Sequence, residues 1–232
     1  MTSPTTTKPT QQPPADKAAE KSAADHAQTF LDWTTINSKG LTIGAVVILV
    51  AAASFWFWGR SRQIQEANAQ KALLNAKQSL SSGNLQLAQT DLQSVYSRYG
   101  STEAGVESAM LLATIAYDNN KPQDGIALLE KTVGSRAAST VQGTIRSLEG
   151  DGYSQLGKMT DAAKQYQQAA EATTYPLEKG YYQSKAARAY QAAGDTAKAR
   201  QIWTALANDP NSSMVSEAKV RLGELDAQPA KR

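Results

Sequence analysis

Residues 150–170 have the sequence GDGYSQLGKMTDAAKQYQQAA, and residues 187–210 have the sequence ARAYQAAGDTAKARQIWTALANDP. Each contains a small residue, a tyrosine three positions later, a glycine four after that, an alanine five further on and a bulky apolar residue four beyond. The two copies are offset by 37 residues. A fixed period of this length indicates that one supersecondary unit is repeated along the chain.

The same period extends over four copies. One position always holds glycine or asparagine, the residue types best able to adopt the left-handed conformation that ends a helix. Small residues at two further positions allow two helices to approach closely, and a bulky apolar residue fills the space between copies. The turn positions are Gly83, Asn120, Gly157 and Gly194; the small ones are Ala76, Ala113, Gly150 and Ala187, then Ala88, Gly125, Ala162 and Ala199; the bulky ones are Leu92, Leu129, Tyr166 and Trp203.

This pattern resembles the tetratricopeptide repeat, lengthened by about three residues between one hairpin and the next. The resemblance implies an all-α fold for residues 62–227, an α-solenoid of about four tetratricopeptide-like helical hairpins followed by a C-terminal capping helix. The first repeat departs most, since Ser79 stands where Tyr153 and Tyr190 stand in the last two. Tyr175 and Pro176 predict the start of the fourth hairpin, and the capping helix is predicted at about residues 213–227.

Residues 41–58, LTIGAVVILVAAASFWFW, contain no charged side chain. As a helix this segment is roughly 27 Å long, which matches a bilayer hydrocarbon core, and its aromatic end is typical of a headgroup boundary. We therefore predict one transmembrane helix. A cleaved signal peptide and a buried core helix are the alternatives, but the first has a shorter apolar run and the second normally has a polar face.

Three shorter segments complete the predicted organisation. Residues 1–27 are rich in Thr, Pro, Gln, Lys and Ala, so we predict a disordered tail. Residues 28–40 regain helix formers and a short apolar face, which predicts an interfacial lead-in to the membrane, with a frayed linker as the alternative. Residues 228–232 are predicted to fray.

The composition argues against most catalytic chemistry. Cysteine is absent, the only histidine is His26 in the tail, and the 24 basic and 21 acidic side chains are interspersed. Disulfides, thiolate nucleophiles and zinc ribbons are therefore excluded, and no basic stripe points to nucleic acid. Asp151 and Glu149 have no identifiable catalytic partner, and Gly150 and Gly152 lie inside a predicted helix. We expect no enzymatic activity, no metal or other cofactor and no small-molecule substrate.

Stacked hairpins expose a concave groove lined by the first helix of each repeat. Lys77 and Arg188 are its only predicted cations and lie far apart, so we expect no clamp for a peptide carboxylate. Tyr117 and Tyr181 fit two roles, stacking on an extended client or packing between repeats. The resemblance to the tetratricopeptide repeat implies a protein-binding groove formed by Lys77, Met110, Thr114, Tyr117, Ser147, Asp151, Ser154, Tyr181, Ser184, Arg188 and Gln191.

The order of parts carries a second resemblance. A lead-in, FLDWTTINSKG at residues 30–40, precedes one apolar helix that ends in aromatics and Arg60, and a repeat domain follows. This arrangement resembles the ancillary SecYEG translocon subunit family. The resemblance implies a single-pass protein of the bacterial inner (cytoplasmic) membrane, held in the lipid bilayer by residues 41–58. It also implies a periplasmic C-terminal domain that acts as a chaperone-like factor for envelope proteins leaving the Sec translocon.

Two features differ from that family, the long Pro/Thr-rich tail and the basic flank after residue 58. The basic flank favours the opposite orientation, since cytoplasmic flanks carry the excess of Lys and Arg. Two alternatives therefore stay open. The chain is a docking or assembly subunit of another membrane protein complex, or it is an adaptor that faces the cytoplasm.

Overall fold

The computed structural model describes residues 38–227, without the side chains of residues 38, 39, 41, 42 and 45. The predicted tail, residues 1–27, lies outside this part, as do residues 28–37 of the lead-in and residues 228–232. The chain divides into two compact units, Met1–Ser61 and Arg62–Arg232. The first described helix, α1, runs from Ser38 to Ser81 and crosses the boundary between them.

The described part of the first unit is the beginning of α1. Its described side chains from Ile43 to Arg60 are all exposed, including Leu49 at 68% and Phe55 at 76%. Within the described residues, no helix has both the length and the apolar character needed to cross a membrane. Residues 41, 42 and 45 of the predicted transmembrane segment are outside the described side chains, and that segment stays a prediction.

The second unit is all-α in its described part, which confirms the predicted repeat architecture. Each repeat is a pair of antiparallel helices, and the end of α1 is the first helix of repeat 1. A short 3-10 helix, Arg136–Ala138, lies between repeats 2 and 3. The remaining helices are α2 (Leu85–Tyr99), α3 (Glu103–Asp118), α4 (Pro122–Val133), α5 (Gln142–Gln155), α6 (Met159–Ala172), α7 (Pro176–Ala192), α8 (Thr196–Asn208) and the final helix α9 (Val215–Ala227).

The predicted turn positions end the first helix of every repeat. Gly83, Gly157 and Gly194 have φ values of 78°, 71° and 83°, and Asn120 has a φ of 56°. Within the described residues, no other position has a positive φ. Asn120 can replace glycine because its short polar side chain tolerates this region better than most. The 37-residue period in sequence is therefore a period in backbone conformation.

The small residues predicted at two positions per repeat lie at the contacts between helices. All six alanines of these columns have no exposed surface, and Gly125 and Gly150 are also buried. A Cβ atom built on Gly150 would lie 2.5 Å from the Tyr166 ring, which shows why nothing larger is accommodated there. The bulky residues of the fourth column complete the core: Leu92, Leu129, Tyr166 and Trp203.

Neighbouring repeats are joined at the ends of helices as well as through the core. The carboxylate of Glu66 on α1 accepts hydrogen bonds from the backbone N–H groups of Glu103 (3.2 Å) and Ala104 (3.4 Å) at the start of α3. A carboxylate at a helix N terminus satisfies unpaired donors and is favoured by the helix dipole. At the other end of the stack, Ala218 and Leu225 of α9 are buried against repeat 4. This confirms the predicted C-terminal capping helix, although it begins at Val215 and not at residue 213.

Candidate functional site

The predicted groove lies on the first helices of the repeats, the end of α1 together with α3, α5 and α7. Three of its eleven predicted residues are buried, namely Tyr117, Ser147 and Ser184. These three predicted positions are corrected, because side chains enclosed between helices cannot line an accessible surface. The exposed or half-buried positions are Lys77, Met110, Thr114, Asp151, Ser154, Tyr181, Arg188 and Gln191.

Tyr117 packs between repeats 2 and 3. Its hydroxyl donates a hydrogen bond to the backbone carbonyl of Leu148, 3.0 Å away on α5. Its ring fills the space left by two glycines, since a Cβ atom on Gly125 would lie 2.4 Å from the ring and one on Gly152 would lie 2.7 Å from the hydroxyl. Burial also raises the pKa of this phenol, so the hydroxyl remains a donor. Of the two roles predicted for Tyr117, packing is the one observed.

Two ion pairs connect successive first helices, and a third connects α7 to the capping helix α9. Lys77 on α1 pairs with Glu107 on α3 at 2.5 Å, and Lys185 on α7 pairs with Asp151 on α5 at 2.7 Å. Arg188 on α7 pairs with Glu217 on α9 at 2.6 Å. Each cation is matched by a carboxylate of the next or previous first helix, or of the capping helix. The groove surface is therefore largely self-neutralised, and neither predicted cation is left to bind a peptide carboxylate.

Lys185 is the centre of the densest polar cluster on this surface. Its ammonium group donates to Ser147 Oγ at 3.0 Å and to Asp151 Oδ2 at 2.9 Å, and it lies 4.7 Å from the centre of the Tyr166 ring. The Tyr166 hydroxyl donates to Asp151 Oδ1 at 2.6 Å. These contacts explain why Ser147 is held away from solvent. They also give the ammonium group two hydrogen-bond acceptors and an aromatic face as partners.

Tyr181 is the aromatic side chain of this cluster that faces solvent. It is 46% exposed, and the Lys185 ammonium lies 5.6 Å from the centre of its ring. A cation thus lies over one face of the ring, while nearly half of the residue is exposed. A tyrosine so placed supplies apolar contact area and a hydroxyl at low conformational cost.

Sequence reasoning identified Asp151 and Tyr181 but missed Lys185. One signal was available, since Lys185 follows Tyr181 by four residues and precedes Arg188 by three, which places all three on one side of α7. The carboxylate that pairs with Lys185 could not be found from spacing along one helix, because Asp151 lies 34 residues earlier on another helix. Only the stacking of α5 against α7 brings the two charges together.

The described residues offer no group of three or more metal-ligating side chains. Glu149 is the one fully buried carboxylate among them, and it receives a hydrogen bond from Arg146 at 2.9 Å on one oxygen. Burial raises its pKa despite that arginine. Its position is inside the stack, away from the exposed surface of α5, where a substrate could not reach it. The arrangement on the first helices is suited to binding a polypeptide.

Comparison with known proteins supports this description of the fold. The nearly identical TPR-like repeats of a Podosopora anserina protein assigned as a kinesin light chain superpose with a TM-score of 0.55 at 18% identity, covering 69% of this chain and 86% of that one. A single-substitution variant of the same protein gives a TM-score of 0.54 at 17% identity, with 69% and 85% covered. At these identities the likeness shows the fold alone. A comparison with curated proteins gives no match.

The sequence also matches the tetratricopeptide repeat-like domain family over residues 31–146 and 68–185, two overlapping placements that together cover more than half of the chain. A periodic sequence produces such an overlap, because shifting the family model by one 37-residue repeat matches it to the same sequence pattern again. Repeats of this type are protein-interaction scaffolds. The chain belongs to the tetratricopeptide repeat-like domain family.

Proposed function

We propose that this protein is a membrane-anchored interaction scaffold, without enzymatic activity, that acts as a chaperone-like accessory factor for proteins leaving the Sec translocon. The observation that carries the proposal is the surface of the first helices. Three cations there are each paired with a carboxylate, and Tyr181 remains exposed. A surface of this kind does not select clients by net charge. It offers aromatic and polar contacts that suit many extended segments.

The exposed apolar helix of the first unit supports membrane anchoring. Contiguous apolar side chains such as Ile48, Leu49 and Phe55 are each at least 68% exposed. An exposed apolar surface of this extent on a soluble protein would be an aggregation site unless lipid or another protein covered it. We propose that lipid covers this surface and that residues 41–58 anchor the protein in the bilayer.

Anchoring also explains how a weak, unselective groove could be effective. A scaffold tethered in the bacterial inner membrane is held at high local concentration beside a channel in the same membrane, so each contact with a client can be weak. We propose that the repeat domain is periplasmic. The basic flank after residue 58 is compatible with this orientation because long following domains are translocated largely regardless of charge.

Site-specific crosslinking tests the groove. A photoreactive amino acid at Tyr181 should capture translocon subunits and emerging envelope proteins. The matched control is Tyr175, which is 65% exposed but precedes the first turn of α7. Equal capture from both positions, or capture of cytoplasmic proteins alone from Tyr181, would contradict the proposal. One partner recovered in stoichiometric amount would identify a docking subunit of another complex instead.

Topology is tested separately. A reporter enzyme that folds only in the periplasm, fused after residue 232, should be active, and a cytoplasmic reporter at the same place should be inactive. The reverse result would place the repeat domain in the cytoplasm and support the adaptor alternative.

A further inference from the structure

One column of the repeat contains tyrosine in repeats 3 and 4 but alanine in repeat 2. The tyrosines are Tyr153 and Tyr190, and the equivalent residue on α3 is Ala116, 37 residues before Tyr153. Tyr190 is buried, and its hydroxyl donates to Gln167 Oε1 at 2.6 Å on the second helix of the preceding repeat. Tyr153 makes the same kind of contact, to Glu130 Oε1 at 3.3 Å. In repeats 3 and 4 this tyrosine thus joins its repeat to the second helix of the repeat before.

The acceptor for this hydrogen bond is present in repeat 1 although the tyrosine is missing in repeat 2. Both observed acceptors precede their tyrosine by 23 residues. The residue 23 positions before Ala116 is Gln93 on α2, which has the same side-chain amide as Gln167. The structure therefore retains the hydrogen-bond acceptor for a phenol and lacks the phenol.

A cleft of about 460 Å³ lies where the tyrosine is missing. Its walls are α2 and α4 and its floor is α3, with Ala116 and Leu112 at the bottom and Leu128 and Tyr96 at the sides. Gln93 and Gln89 lie on the α2 wall. The volume falls within the range of ordinary ligand pockets, and the small side chain of Ala116 leaves room for an aromatic ring.

The charges around the cleft indicate what kind of segment would present that ring. Lys121, Lys131 and Asp124 contribute to the lining. Within residues 38–227 none of the three has an ion-pair partner, unlike the cations of the groove. Together they leave one net positive charge. Electrostatic complementarity therefore favours a segment with acidic residues beside the aromatic one.

We propose that this cleft binds a tyrosine side chain of a partner polypeptide, within an acidic sequence. The partner's phenol occupies the space that Tyr153 and Tyr190 fill in their own repeats, its ring packs on Ala116 and Leu128, and its hydroxyl donates to the Gln93 side chain. The site is separate from the groove, because Leu112 and Ala116 lie on the side of α3 opposite Met110 and Thr114. The proposal does not depend on the function proposed above.

Binding of a defined peptide tests the proposal. The probe is acetyl-Glu-Glu-Tyr-Glu-Glu-amide, titrated into the full chain in lipid nanodiscs while the methyl NMR signals of Leu112 and Leu128 are followed. We expect saturable shifts at these methyl groups, and no binding of the peptide in which alanine replaces tyrosine. The substitution Ala116→Tyr restores the missing side chain and should weaken binding at least tenfold without lowering Tm. Ala197→Tyr, an exposed position on α8, is the matched control and should leave binding unchanged.

A second variant keeps the test decisive if Ala116→Tyr disturbs the fold. Gln93→Leu removes only the acceptor, so affinity should fall about threefold to tenfold, the contribution of one neutral hydrogen bond. A peptide with phenylalanine in place of tyrosine should bind this variant and the unchanged protein equally well. The proposal is wrong if the tyrosine peptide does not bind, if it binds the Ala116→Tyr variant with unchanged affinity, or if the shifted signals lie elsewhere.

Discussion

Backbone conformation at single turn residues decides where each first helix ends. Gly194 has a φ of 83°, and a Cβ atom built there would meet nothing within 4 Å. The requirement for glycine is therefore conformational and not steric crowding by a neighbour. Gly134 ends α4 and is equally uncrowded, but its φ of −81° lies in the right-handed helical region. It therefore differs from Gly194 in the sign of φ.

We expect Gly194→Ala to lower the free energy of unfolding by about 1 kcal/mol, because an L-residue in the left-handed region costs about 1–2 kcal/mol and part is recovered from the unfolded chain. Gly134→Ala should be neutral or slightly stabilising, since its conformation is open to any residue. Urea unfolding of both variants checks this. Equal losses would mean that the turn does not require a positive φ.

Glu149 is a second residue whose effect on the free energy of unfolding can be measured. Burial raises its pKa, and one of its carboxylate oxygens lacks a hydrogen-bond partner among the described atoms. A carboxyl group whose pKa is raised by folding favours the folded state below its unfolded pKa, and this contribution is lost as pH rises through the folded pKa.

Replacing Glu149 by glutamine should therefore raise stability relative to the unchanged protein as pH increases from the acidic range to neutrality. The amide still accepts the hydrogen bond from Arg146 but carries no buried charge. The unfolding free energies of the Glu149→Gln variant and the unchanged protein, measured across this pH range, should diverge with increasing pH. Glu171→Gln, at an exposed position of α6, is the control and should show no such divergence. A constant difference for the Glu149 variant would contradict the prediction.

At the scale of the helix, the small-residue columns determine how closely the two helices of a hairpin approach. Ala199 on α8 is fully buried in the same core as Trp203, whereas Ala197 on the same helix is exposed. Both positions hold alanine in the same helix, so helix propensity contributes equally when either is replaced by the same residue. A difference in the stability of the two variants therefore measures packing alone.

We expect Ala199→Leu to cost about 1–3 kcal/mol in the free energy of unfolding, because a larger side chain overpacks the hairpin. Ala162→Leu on α6 should behave in the same way, since Ala162 is also fully buried. Ala197→Leu should be nearly neutral. Thermal unfolding checks the set, and unchanged Tm for both buried variants would show that the repeat register is misassigned.

At the scale of the whole repeat unit, ion pairs join the first helices of neighbouring hairpins and also join repeat 4 to the capping helix. The strongest geometry is that of Arg188, whose Nε donates to Glu217 Oε1 at 3.0 Å and whose Nη2 donates to Oε2 at 2.7 Å. This bidentate contact ties the capping helix α9 to repeat 4. The arginine lowers the pKa of Glu217.

A double-mutant cycle with Arg188→Met and Glu217→Gln should give a coupling of about 0.5–1 kcal/mol, since both partners are partly exposed and solvent screens the pair. The coupling should be present at neutral pH and disappear as pH falls through the lowered pKa of Glu217. Lys164 and Asp161, an exposed pair within α6, serve as control and should show little coupling. A coupling at Arg188 that did not change with pH would contradict an ionic origin.

Most of the predicted site came from the tetratricopeptide pattern, and the structure shows where that pattern is insufficient. Tyr181 and Asp151 lie on the accessible surface as predicted, but three other predicted groove residues, Tyr117, Ser147 and Ser184, are buried. Their burial depends on neighbours that a periodic pattern does not specify, such as Gly152 beside the Tyr117 ring and Lys185, which donates a hydrogen bond to Ser147. The proposed cleft likewise follows from one alanine in a column where the last two repeats have tyrosine.

The sequence by itself determined the repeat period, the residues at which first helices turn and the alanines at helix contacts. These features depend on conformational and steric limits that act on a residue or its near neighbours in the chain. The tertiary structure alone decided which polar side chains are paired and which aromatic side chains are exposed. Those outcomes depend on residues brought together from positions such as Asp151 and Lys185, whose distance is set by the stacking of one hairpin on the next.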